Sequence, residues 1–240
     1  MNLIIDVGNT RVKMAVYKNS ELIHNEIFTH VNIAGNALSI AEKFNCVAAI
    51  ISFVGAVKKS EIIELKSKIK LIILNSNTKI PFKNEYASPK TLGVDRIALV
   101  SSAVKNYPNK NVLIIDAGTC ITYDYVNAKT EYFGGGISPG IRMRYKALNV
   151  FTEKLPILEP QFPVKLIGDS TVNSIHSGVI NGVISEIDGT INQYKEKNQD
   201  LTVVLTGGDV KFLANRLKNS IFANPNFLLD GLNRILTYNL

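Results

Sequence analysis

Two short stretches hold the residues best suited to chemistry. Leu3-Ile4-Ile5-Asp6-Val7-Gly8-Asn9-Thr10 lies near the start, and Leu113-Ile114-Ile115-Asp116-Ala117-Gly118-Thr119 repeats its design at mid-length. Each sets an acid at the end of an aliphatic run, then a glycine turn and a threonine. Free backbone N–H groups in such a turn carry fixed partial positive charge and suit phosphate oxygens, but a neighbouring carboxylate repels phosphate unless a cation sits between them. The pattern therefore points to a phosphate-plus-metal site. Glycine admits a nucleotide, the hydroxyls of Thr10 and Thr119 bind oxygens, and Asp6 and Asp116 face metal ions. Lys13 follows on the next strand, so residues 6–13 frame one phosphate loop and 116–119 the other. One Asp-Xaa-Gly turn is an ordinary strand connection; two, each heading the same kind of segment, favour function. Neither is a P-loop, because no Gly-Lys-Ser/Thr follows and the next element reads as a strand.

The elements around these turns are duplicated as well. Residues 3–5 read as a buried strand, 11–17 alternate, and 22–28 form a third strand after the Lys18-Asn19-Ser20-Glu21 turn. A helix over 33–44, a strand over 47–53, a helix over 60–68 and a strand over 71–74 complete a β-β-β-α-β-α-β order. That order implies an α/β fold of mixed sheets with flanking helices. Residues 75–91 read as a loop and 95–105 as a helix. The pattern then restarts with strands over 112–115, 121–126 and 130–133. Two related halves are expected, 1–110 and 111–240, each with one phosphate loop, facing each other across a cleft. In the second half, Val172, Ile175, Val179, Val183, Ile187, Ile191 and Tyr194 predict one long helix over 171–197. Gly178, Gly182, Ser185 and Gly189 form a second stripe on it. Helical glycines cost roughly 1 kcal/mol each relative to alanine. Close packing against another helix would offset that, in a partner copy or in the same chain, and the sequence leaves both open. A strand over 202–205, a Gly207-Gly208 turn and a helix from Asp230 end the chain.

The 240 residues suit one large domain or two modest ones, and 46% hydrophobic with 20% charged residues is ordinary for a soluble globular protein. A net charge of +7 favours an anionic partner such as a nucleotide. The lysines are dispersed and no basic stripe alternates with aromatics, so nucleic acid is not the expected partner. Cys46 and Cys120 make neither a disulfide framework nor a metal pattern, which fits a reduced, cytoplasmic compartment. The first residues lack the basic leader and long apolar run of a secretory signal. The apolar run 47–57 is too short for a bilayer and carries Ser52 and Gly55, so no membrane association is expected.

Further motifs complete the picture: "DVGNTRVK" at 6–13, "GVDR" at 93–96, "DAGTCIT" at 116–122, "GGGISPG" at 134–140, "ALNVFTEKLP" at 147–156, "GDSTVNSIHSG" at 168–178 and "TGGD" at 206–209. In this order and spacing the chain resembles the type III pantothenate kinases, within the actin and sugar-kinase superfamily, over nearly its whole length. The resemblance implies two ribonuclease-H-like halves and ATP-dependent phosphorylation of pantothenate to 4′-phosphopantothenate, the first step of coenzyme A biosynthesis. It assigns ATP to Asp6, Val7, Gly8, Asn9, Thr10, Arg11, Val12, Lys13 and Thr119. It makes Asp95 the general base for pantothenate's primary hydroxyl. Pantothenate falls to Tyr86, Gly93, Val94, Asp95, Arg96 and Thr171. Asp116 takes a monovalent cation, K⁺ or NH4⁺, and Mg²⁺ comes with ATP, reaching Asp6 through phosphate or water. A homodimer is implied, with Thr171 near its interface.

Val94 stands where alanine is usual, and Cys120 where alanine is frequent, with a small buried side chain expected of it. His24, His30 and His176 are isolated in sequence, and a packing or orienting role is expected for His176. Gly134 to Gly136 and Pro139-Gly140 read as a hinge, a wall around the nucleotide or a tight turn. The competing reading is a non-catalytic regulator that keeps the fold and binds nucleotide or a protein partner. Retention of Asp6, Asp95, Arg96, Asp116 and Thr119 counts against it.

Overall fold

The computed structural model describes residues 1–55 and 57–240; Ala56, inside the apolar run 47–57, lies outside the described residues. The chain divides into two compact units. One holds residues 1–109, 129–133 and 226–240, the other 110–128 and 134–225.

The first unit is built on strands β1 (Asn2–Val7), β2 (Val12–Lys18), β3 (Glu21–Phe28), β4 (Ala48–Phe53) and β5 (Lys70–Ile73), in the order β3-β2-β1-β4-β5. Central β1 pairs antiparallel with β2 and parallel with β4. Leu3, Ile4, Ile5 and Val7 have no exposure, which is why this strand is an unbroken aliphatic run and not an alternating one. Helices α1 (Ile33–Lys43) and α2 (Lys59–Lys68) cover one face, where Ala37, Ile40 and Leu65 meet Leu3, Ile5 and Val7. Helix α3 (Val94–Asn106) and the last helix, α8 (Phe227–Asn239), pack on each other, and α8 also packs on β1 and β4. Residues 226–240 thus finish the first unit although they end the chain. Buried Asn233 fixes α8 by accepting from Asn2 Nδ2 at 3.0 Å and donating to the Asn19 carbonyl at 2.7 Å, while the Tyr17 hydroxyl donates to Asp230 at 2.6 Å.

The second unit repeats this topology. Strands β7 (Asn111–Ala117), β8 (Cys120–Val126), β9 (Glu131–Pro139), β10 (Leu201–Thr206) and β11 (Phe222–Ala223) lie in the order β11-β10-β7-β8-β9. Its central strand β7 pairs antiparallel with β8 and parallel with β10, as β1 does with β2 and β4. The repeated letters are therefore the visible part of a repeated sheet. The first residues of β9 belong to the first unit, where they run parallel to the short strand β6 (Lys83–Asn84), found inside the expected loop 75–91.

Two expectations are revised. Gly134, Gly135 and Gly136 lie within β9 and form neither hinge nor turn. The helix expected over 171–197 is α5 (Thr171–His176), a π-turn (Ser177–Asn181) and α6 (Gly182–Lys197), following α4 (Ile141–Val150) and an irregular stretch. The Ser177 hydroxyl donates to the Leu166 carbonyl and receives Asn181 Nδ2 at 3.1 Å. Adjacent Val179 and Ile180, inside the turn, are both buried, and Val172, ahead of it, is exposed. Among the described residues no helix is long and apolar enough to cross a membrane.

Gly231 marks the tightest approach of α8 to α3, where an added Cβ would land on the Ala98 carbonyl. Gly231→Ala is expected to lower stability by about 2–3 kcal/mol, the cost of overpacking against rigid backbone. Urea unfolding of the variant measures it.

Candidate active site

The first Asp-Xaa-Gly loop starts where β1 ends. Register places Asp6 between Lys13 on β2 and Ser52 on β4. The fully enclosed Ser52 hydroxyl donates to Asp6 Oδ1 at 3.0 Å. Burial pushes the Asp6 pKa above the usual carboxylate range; Lys13 and Ser52 pull it back, and the charge of Asp95 pushes it further up. Residues 8–11 form the hairpin loop, closed by Gly8 N–H donating to the Arg11 carbonyl at 3.1 Å. Asn9, Thr10 and Arg11 are exposed. Val7 and Val12 have no exposure and pack into the first core, so they present no surface to a ligand.

Asp95 stands in the first turn of α3, with Gly93 as the residue that caps it. Its Oδ1 accepts from the Arg96 N–H at 2.8 Å, and a side chain on residue 93 would press on that oxygen. Arg96 is buried, with its guanidinium 5.4 Å from the Tyr86 ring centre, and Tyr86 stacks on Tyr132 at 6.1 Å. The fold thus gathers Tyr86, Gly93, Val94, Asp95 and Arg96, and sets the Asp95 carboxylate near enough to Asp6 to act on its charge.

The second loop sits on β7. Asp116 is flanked by Thr122 on β8 and Thr206 on β10, the positions that Lys13 and Ser52 occupy around Asp6. The Gly140 N–H donates to the Thr119 carbonyl at 3.1 Å, and the Asp209 N–H to the Ala117 carbonyl at 2.9 Å. Gly207 takes a φ of 100°, and a Cβ there would strike both Asp116 Oδ1 and the Ala117 carbonyl. Three sequence motifs, 116–122, 134–140 and 206–209, therefore converge on one turn whose Thr119 side is exposed. Burial raises the Asp209 pKa, opposed by Arg142 at 3.6 Å. Cys120 is half-buried, more open than expected. Oxygen donors beside the space left by Gly207 fit a hard cation. Among the described residues no group of three or more His, Cys, Asp or Glu side chains forms a cage, so a cation here would need main-chain, water or phosphate oxygens as well.

Thr171 is exposed and lines an open groove of about 850 Å³ with Arg144, Leu148, Phe151, Ser174 and Gly178. Arg144 is fixed by Glu186, by Ser138 Oγ at 3.0 Å and by the Pro139 carbonyl at 2.9 Å. Glu186 also receives the Tyr123 hydroxyl at 2.9 Å. No described atom lies within 4 Å of a Cβ added at Gly178, Gly182 or Gly189, so these glycines are not explained by tight packing inside the chain. His176 has the packing role expected, buried with the Tyr145 hydroxyl 2.7 Å from its Nδ1. Ser52, Arg144, Glu186 and His30 escaped the sequence reading. Only Ser52 left a signal there, as the polar residue in the apolar strand 48–53.

The sequence profile of the type III pantothenate kinases matches residues 2–193. The chain is 51% identical to the type III pantothenate kinase of Christiangramia forsetii, over 100% of this chain and 99% of that one. In three dimensions it is similar to a conserved Baf-family protein of Campylobacter jejuni, described as a transcriptional activator, with a TM-score of 0.64, 22% identity and coverage of 99% and 98%. It is also similar to a glucokinase from an Antarctic psychrotroph, with a TM-score of 0.55, 13% identity and coverage of 99% and 98%. The last two likenesses establish the actin and sugar-kinase fold.

Because the Asp6 pKa is raised on folding, the folded protein binds the extra proton between the unfolded and folded values, and stability falls as pH rises through that window. Asp6→Asn removes the penalty. It is expected to melt at a higher temperature than the wild type at pH 7, with the gap closing as pH falls below the ordinary carboxylate range. Melting curves across pH check both signs.

Proposed function

The chain belongs to the type III pantothenate kinase family, and on that premise we infer that it transfers the γ-phosphoryl group of ATP to the primary hydroxyl of pantothenate. The product, 4′-phosphopantothenate, enters coenzyme A biosynthesis. The observation that carries the residue assignment is the cluster of Asp95, Arg96 and Tyr86 at the start of α3, with Asp6 electrostatically coupled to Asp95.

In this reading the loop 6–13 holds the ATP phosphates through its N–H groups, Thr10 and Lys13. Thr119 holds a phosphate oxygen in the second loop. Arg96 is fixed over Tyr86, and its planar fork suits the pantothenate carboxylate better than a lysine would. Gly93, Val94, Tyr86 and Thr171 complete the acceptor's surroundings. Asp95 aligns the hydroxyl and accepts its proton, which leaves late in a loose phosphoryl-transfer transition state, so no strong base is needed. ATP is used with a divalent metal. We assign Mg²⁺ to that role, reaching Asp6 through phosphate or water, and K⁺ or NH4⁺ to Asp116; these cations neutralise charge on the phosphates.

The groove beside Thr171 supports a homodimer. Phe151, Val164 and Leu166 are 85%, 94% and 78% exposed on this unit, and Gly178, Gly182 and Gly189 offer a partner helix a close approach. The two units act as one enzyme with one phosphate loop each. Its setting is the cytoplasm, with neither nucleic acid nor membrane as a partner.

ADP release is expected to require pantothenate and to rise with K⁺ or NH4⁺; ATP consumption without pantothenate at the same rate would refute the kinase reading. Asp95→Ala is expected to lower kcat by roughly 10²–10⁴-fold while the protein melts as before. Phe151→Asp is expected to shift sedimentation from dimer to monomer, and an unchanged dimer would remove this groove from the interface.

A further inference from the structure

His30 lies outside every motif above, yet its Nε2 is 2.8 Å from the Gly8 carbonyl oxygen, 22 positions away in the chain. We propose that His30 is a positioning residue of the first phosphate loop: its ring holds the Gly8 carbonyl and so sets the direction of the Asn9 amide. The proposal rests on the reading that residues 6–13 hold ATP.

The β1–β2 ladder ends at Val7↔Val12, so the peptide joining Gly8 to Asn9 lies beyond it. The one main-chain bond closing the loop, from Gly8 N–H to the Arg11 carbonyl, uses the preceding peptide. Glycine permits the next peptide to turn over at little steric cost. A trans peptide is planar, with its C=O and N–H opposed. Holding the Gly8 oxygen toward His30 therefore points the Asn9 N–H away from the ring. Turned over, the same unit shows a carbonyl where an amide was, and a carbonyl repels phosphate. The ring supplies the needed proton in its Nε2–H tautomer and as imidazolium alike.

His30 is itself well anchored. Phe28 at the end of β3 pairs with Val12, so residue 30 follows directly on an ordered strand. On its other side Asn32 has a φ of 54°, and the Ile33 N–H donates to Glu61 Oε1 at 2.7 Å. Asn36 Nδ2 donates to the Val31 carbonyl at 3.3 Å. An exposed side chain on backbone held at both sides, with its one polar contact among the described residues on the loop carbonyl, is placed to orient that loop.

The test compares His30→Ala, His30→Phe and His30→Gln with the wild type. It measures kcat and the ATP KM at saturating pantothenate, ATP binding by calorimetry, and melting temperature. Losing one hydrogen bond that selects the binding-competent loop is expected to raise the ATP KM and Kd roughly 3- to 10-fold in the alanine and phenylalanine variants. Their kcat changes less than about twofold and their melting is unaltered. Glutamine, with an N–H at similar reach, restores the KM. An ATP KM within about twofold of wild type in His30→Ala overturns the proposal, as does a joint fall of kcat and melting temperature that glutamine does not rescue. Lys13→Ala separates the two levels. If it weakens ATP binding and His30→Ala does not, the positioning role fails alone; if neither does, the assignment of ATP to residues 6–13 fails.

Discussion

A carboxylate ends each of two strands that are buried on both faces, and the rest of the structure is arranged around that placement. Ionised acids are costly in such surroundings unless their neighbours compensate. In the first unit Lys13 and Ser52 stand on either side of Asp6, and the compensation is incomplete, since burial still outweighs them. In the second unit Thr122 and Thr206 flank Asp116. The same strand pairing delivers both results. An antiparallel neighbour on one side and a parallel one on the other bring three side chains into one row at the strand's carboxyl end, where loops diverge and ligands bind in open α/β sheets. The residual charge penalty is a local inconsistency of the kind that functional sites carry.

The start of α3 depends on a different device. Asp95 and Arg96 are adjacent in sequence but diverge in space, the first turning onto its own helix start and the second across Tyr86. Both sit on a helix whose other surface is held by α8, so Asp95 and Arg96 share one rigid support. Rigid elements hold such geometry better than loops do.

Local features were legible in the sequence. Asp6, Asp95 and Asp116 are each identified by the few residues beside them, and the duplicated strand–turn pattern predicts two sheets of like topology. Features set by distant pairing were not. Ser52 and Thr122 gain meaning only from strand register, and His30 only from the path of the chain after β3. Glycines gave an ambiguous signal: at 134–136 they read as a turn and form part of β9. The π-turn within residues 171–197 was hidden because its flanking helices nearly keep the hydrophobic period. The apolar face of residues 227–239 shows that this helix is buried, but not that the first sheet covers it.

That last helix has a consequence for how the protein comes into being. A ribosome delivers residues 1–109 early, together with the Asp6 loop and the Asp95 turn. Asn233, Asp230 and Gly231, which close against Asn2, Tyr17 and Ala98, emerge only after the second unit. The first unit must therefore wait, with the α8 part of one sheet face uncovered, while the second unit is translated. Domains made first usually fold first; here the first unit can close only after the second has been made.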